Sequence, residues 1–261
     1  MHIATIVYIF YGSVSLILYL AVFAIIHHMG PARLCGAFSK LILLYSVVNI
    51  LTYINSWYSH RLRGEPLFWP VYLYLNTNDS FRNALMFLLP MLNYNQSVCN
   101  LLLTLNRFTA FWNRLIWPVM LISMAFGSIS ALSRLPIFVV WKYSSSENLF
   151  FIQHLINLNA FWYQIGFCSV LLAFCIVMNS ISLVNLRKLG GSKSIKETER
   201  AFFFVSLFTF IAECGNLVML TGKQLSQSAN YTELWIAFNT VSPYATDVCS
   251  LGLPYYLLLV K

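Results

Sequence analysis

Two carboxylates, Glu213 and Asp247, lie within runs of otherwise apolar residues. An acid at the centre of an apolar helix costs at least ~2.5 kcal/mol to insert into hydrocarbon, so it turns inward to a partner or a cavity. Two readings follow. The pair contacts a polar ligand or repacks the helices that carry it. Alternatively it belongs to a structural network with Asn216, Asn100 or Asn49, with one carboxyl protonated. A third charged group, Arg107, closes an apolar run in Thr104-Leu105-Asn106-Arg107-Phe108-Thr109-Ala110. A cation there either snorkels and anchors the helix or is held by Asn106 as a latch whose release opens a groove for a partner. Catalytic patterns are missing. The five histidines form no HxxxH or HExxH box, and there is no GxSxG, P-loop or intramembrane aspartate pair. An enzyme is therefore not expected, nor is a metal or a cofactor.

The elements that must position these groups follow from composition. Of 261 residues, 59% are hydrophobic and 9% are charged, against about 25% charged in soluble domains. Mean hydropathy is +0.71. The excess apolar surface faces lipid. A helix needs about 20 mainly apolar residues to cross the hydrocarbon, and seven segments approach this: 3–26, 39–57, 83–106, 115–133, 160–186, 201–221 and 235–260. Backbone groups in lipid must be paired within the segment, so helices are expected. The fold class is thus an all-α membrane protein, one seven-transmembrane helix bundle over 1–261. Pro90 and Pro254 are expected to kink the third and seventh spans.

Charge and cysteine placement narrow the class further. The net charge of +8 resides in short connectors and not on an aromatic-interleaved face, so no nucleic-acid partner is expected. Of the six cysteines, five lie in apolar runs and Cys35 lies in a connector; none has CxxC spacing, and no disulfide is expected.

Ten of the sixteen Lys and Arg fall on one set of connectors with the C-terminus, and six on the other. The positive-inside rule makes the richer set cytosolic. The sequons Asn78-Asp79-Ser80 and Asn230-Tyr231-Thr232 fall in the opposite set, where an acceptor must be. Asn95-Gln96-Ser97 lies within a span and should stay unmodified. The N-terminus is then outside and Lys261 inside, with the first span an uncleaved signal anchor. The outer segment from Trp57 to Asn76, rich in Trp, Tyr and Pro, suits the headgroup interface.

The Leu103–Ala110 stretch, continued by Phe111-Trp112-Asn113-Arg114, resembles the nematode serpentine chemoreceptors of class gamma, which are seven-transmembrane G-protein-coupled receptors. Asn78–Arg82, Glu199-Arg200 and the segment from Asp247 through Pro254-Tyr255 look similar too. The resemblance implies that Asn106-Arg107 stands for the acidic-Arg-aromatic motif of rhodopsin-like receptors. It also implies a small chemical cue as ligand, a heterotrimeric G protein as partner and a plasma-membrane location in a sensory neuron. Coupling would involve Asn106, Arg107, Arg114, Arg187 and Lys188. Cue contacts are expected at Asn83, Phe87, Gln164, Glu213, Tyr244 and Asp247, in an outer-facing cavity.

Two other readings stay open. A small-solute transporter or channel would carry repeated halves around a midplane site. A divergent or incomplete receptor that does not signal would fit the end of the chain at Lys261, just after the last span. The sidedness has its own check: replacing Asn78 and Asn230 by Gln should remove all glycosidase-sensitive mass of the expressed protein, whereas Asn95→Gln should leave it unchanged.

Overall fold

The computed structural model describes residues 3–33, 36–62, 65–105, 112–131, 139–144, 149–154, 159–188 and 193–259. Seven long helices dominate them: α1 (Ile3–Arg33), α2 (Gly36–Ser56), α4 (Asp79–Leu105), α5 (Trp112–Ala131), α6 (Asn159–Lys188), α7 (Lys193–Ser228) and α8 (Thr232–Leu259). A short α3 (Trp69–Thr77) lies between α2 and α4. Four of the long helices, α1, α2, α6 and α7, are apolar enough as well as long enough to cross a membrane.

Two strands qualify the all-α expectation. β1 (Val139–Ser144) and β2 (Leu149–His154) form an antiparallel hairpin with Val139 opposite His154 and Ser144 opposite Leu149. Their β-branched and aromatic residues favour a pleated ribbon, and paired strands satisfy each other's backbone groups. The chain is nearly all-helical. Phe150 of β2 packs with Tyr72 and Leu75 of α3, and Trp69 stands 4.9 Å from Tyr143. Hairpin and α3 thereby form a small second core at the end of the bundle where α1, α4, α6 and α8 begin.

Packing in the main bundle centres on α4, which touches α2, α5, α6 and α7. Its Val98, Cys99, Leu102 and Leu103 share a core with Leu41, Ile42 and Tyr45 of α2 and Leu251 and Leu253 of α8. In α2, 61% of the most apolar stretch is covered by protein, against 22% in α1 and α6. α2 is therefore an interior helix, while α1 and α6 turn Phe10, Ile17, Phe174 and Val177 outward. Burial in the core holds α2 despite the lowest hydropathy of the four.

Pro254 shapes the crossing of α1 and α8. It has no N–H to give the carbonyl of Ser250 four residues back. Tyr19 Oη of α1 donates to that carbonyl at 2.6 Å. Asn49 Nδ2 donates to Tyr19 Oη at 3.1 Å, and Gln96 Nε2 donates to Asn49 Oδ1 at 2.8 Å and to Ser250 Oγ at 3.1 Å. One proline thus creates an orphan acceptor, and residues of α1, α2 and α4 converge on it. Tyr19→Phe should leave that carbonyl unpaired and destabilise the folded protein by about 1–3 kcal/mol, read as a lowered thermal midpoint in detergent. Leu20→Ala, on the exposed side of α1, is the control.

Candidate functional site

Tyr53, Trp57 and Arg61 recur at four-residue intervals, which places them on one stripe of α2 and its continuation. That continuation is a π-helical turn, Trp57–Arg61, in which the Leu62 N–H reaches Trp57 O. The wider turn carries the guanidinium into the bundle. It lies 4.9 Å from the ring centroid of Tyr53, 5.0 Å from Tyr8 and 5.5 Å from Trp57, within cation–π range of all three.

There Arg61 pairs with Asp247 of α8 and donates to Ser56 Oγ, while Tyr11 Oη of α1 donates to the other oxygen of Asp247. The Arg61 and Asp247 side chains are 1% and 7% exposed. Two charges so desolvated persist because each supplies the other's counter-charge and the hydroxyls fill the remaining sites. Gly12 allows α1 to come this close, since a Cβ there would collide with the Tyr53 hydroxyl. That hydroxyl donates to Tyr8 O at 3.1 Å. Thr5 Oγ1 donates to Glu65 at 2.5 Å and straps the connector to the first turn of α1.

The second polar centre lies between α4, α6 and α7. Glu213 of α7 is buried and accepts from Ser97 Oγ of α4. Beside it is a crevice lined by Asn93, Ser97, Gln164, Cys168, Leu172, Glu213, Asn216, Leu217 and Leu220. The space in it open to a water-sized group is about 10 Å³, room for one such group. Asn93 Oδ1 is buried without a hydrogen-bond partner.

The two centres share elements. Ser97, which serves Glu213, is next to Gln96, which holds Asn49 and Ser250. Cys249, two residues from Asp247, donates through Sγ to the carbonyl of Ala212 beside Glu213 at 3.2 Å. Further along α4, Thr209 donates to Asn100 Oδ1 at 3.0 Å and Thr104 lies 3.1 Å from Ser206 Oγ. A polar path thus follows α4 from the crevice toward its C-terminal end.

The structure divides the six expected cue contacts between places. Gln164 and Glu213 line the crevice. Asp247 joins Arg61, and Tyr244, with its ring 5.3 Å from Tyr8, stands at the edge of the same cluster. Asn83 and Phe87 are on the first half of α4, Asn83 with a buried and unpartnered Oδ1. Asn106 and Arg107 lie outside the described residues, whereas Arg114 falls in α5 and Arg187 and Lys188 in the last turn of α6. Asn78 is exposed and caps α4, its Oδ1 accepting from the Phe81 N–H at 3.1 Å. Asn230 is exposed at the α7–α8 turn with φ 57°, while Asn95 is buried.

By sequence Arg61 belongs to the six Lys and Arg of the outer connectors, but the fold places it within the bundle. The signal was its spacing from Tyr53 and Trp57, and an aspartate within an apolar run with no cation near the centre of any such run. No group of three or more His, Cys, Asp or Glu side chains among the described residues is placed to hold a metal ion.

A bundle of apolar helices around buried polar centres defines a polytopic membrane protein. The family model of the Srg family chemoreceptors matches residues 5–261. The chain belongs to that family, the serpentine receptors of class gamma, and is a membrane chemoreceptor. No curated protein matches it.

The ion pair predicts a particular pattern of variants. Arg61→Met or Asp247→Leu alone strands a buried charge and should cost about 3–5 kcal/mol. The double variant Arg61→Met/Asp247→Leu should recover most of that loss. Thermal midpoints of the three purified proteins form the cycle, and additive losses would rule out the coupling.

Proposed function

We propose that the chain is a seven-span chemosensory receptor of the plasma membrane of a sensory neuron, with its N-terminus outside and its C-terminus in the cytosol. A small chemical cue acts at the α4–α6–α7 crevice and a heterotrimeric G protein is engaged at the opposite end. The observation that carries this reading is the convergence of Asn93, Gln164, Asn216 and Glu213 on one crevice between helices. Binding sites in bundles are built in this way, from a few convergent polar groups between facing helices.

Membership in a chemoreceptor family supports the receptor class. α4, α5 and α8, with 27, 20 and 28 residues, are long enough to complete seven spans at ~1.5 Å per residue. The basic connectors and the exposed positions of Asn78 and Asn230 support the sidedness.

A cue that displaces Ser97 from Glu213 would shift α4 against α7. The shift would pass through Gln96 and Cys249 to α8, and through Asn100 and Thr104 toward the cytosolic end. There Asn106, Arg107, Arg114, Arg187 and Lys188 would meet the G protein. Such coupling needs two discrete packings that the cue binds unequally.

A panel of small-molecule cues applied to cells expressing the full chain, read as cAMP, cGMP or calcium, tests the proposal. At least one cue should evoke a response that Arg107→Ala lowers tenfold or more at equal surface expression. Ser97→Ala should shift its half-maximal concentration. Cue-evoked current that persists with G-protein signalling blocked would instead favour a channel.

A further inference from the structure

We propose that the crevice holds a compact monovalent cation between Glu213 of α7 and Asn93 of α4, either an ammonium head group carried by the cue or an inorganic ion. The proposal deepens the reading of the crevice as the cue site by naming the chemistry it selects.

The argument begins with charge. Glu213 is the single ionisable acid or base among the described lining residues besides the thiol of Cys168. Among the described residues no Lys, Arg or His lines the crevice. The cation that balances the other intramembrane acid, Arg61, is committed to Asp247. A carboxylate excluded from water is stable when a counter-charge reaches it, and here it has only the neutral Ser97 hydroxyl and Cys249 thiol as partners.

The second observation is independent of the acid. Asn93, which lines the crevice from the α4 side, has an Oδ1, a neutral acceptor, buried without a hydrogen-bond partner. A carboxylate and an amide carbonyl suit a hard monovalent ion or an N–H-rich cation, and offer nothing to an anion. Ser97 Oγ can add its lone pairs while donating to Glu213.

Size sets the third limit. A cavity of about 10 Å³ admits a group the size of water. That suits sodium or the –NH₃⁺ of an alkylamine and excludes a quaternary ammonium. Leu172, Leu217 and Leu220 supply an apolar wall along which an alkyl chain would lie.

Cation binding can be measured without knowing the cue or the G protein. The full-length protein is purified in detergent, and its thermal midpoint followed by tryptophan fluorescence. Titrations use sodium chloride, methylammonium chloride or tetramethylammonium chloride, with N-methylglucamine chloride keeping ionic strength constant. Sodium or methylammonium should raise the midpoint by roughly 3 °C or more at saturation, and tetramethylammonium should not. A methylammonium effect alone assigns the site to a head group of the cue, and an effect of sodium assigns it to an inorganic ion.

The shift should vanish in Glu213→Gln. It should also vanish in Asn93→Leu, which fills the crevice but keeps the carboxylate and so covers the case in which Glu213→Gln fails to fold. Equal midpoints in all salts, or a shift of the same size in the variants, would overturn the proposal. A cue response that survives such a result would leave the receptor reading intact.

Discussion

One face of α4 carries Asn93, Gln96, Ser97, Asn100 and Thr104, and the bundle is organised around satisfying it. In hydrocarbon an unpaired amide or hydroxyl loses the water that would have solvated it, and only other protein groups can replace that water. Four residues of the stripe therefore draw a neighbour toward them. Gln96 reaches Asn49 and Ser250, Ser97 reaches Glu213, Asn100 accepts from Thr209 and Thr104 meets Ser206. The apolar side chains between them fill space, yet they would pack in many rotations. The hydrogen bonds select one.

The same constraint explains the two buried acids and why they differ. Asp247 has a full complement: a guanidinium, a phenol and three aromatic rings around the cation. That cluster ties α1, α2 and α8 at one end and has the character of a fixed joint. Glu213 has a hydroxyl, a thiol and a crevice, but no counter-charge. Where polar groups are matched the helices are fixed to each other, and where they are not there is room for something from outside. A receptor needs both, since a cue can bias packing only where the protein leaves contacts for it to complete.

The family membership and the membrane character were legible in the chain because they rest on local properties. Apolar run length, connector charge and the Leu-Asn-Arg-Phe-Thr stretch need no tertiary information. Asp247 and Glu213 were also visible as polar residues out of place in their runs. Their partners were not. Arg61 is 186 residues from Asp247 and, by composition alone, looks like any connector cation. The hairpin was hidden as well, because Val139–Ser144 and Leu149–His154 are short and sit in a connector, and their strand character depends on pairing with each other.

By itself, then, the sequence determined that the helices form, roughly where they lie and which family they make, since helix formation in lipid depends on each segment's own backbone bonds. Tertiary structure alone decided which buried charge is cancelled and which is left facing a crevice. Sequence spacing orders residues on one helix, but the rotation of α2 that delivers Arg61 to Asp247 depends on Gly12, Tyr11 and the stripe of α4 acting together. That rotation is a property of the packed bundle, and it leaves Glu213 and Asn93 with contacts still to make.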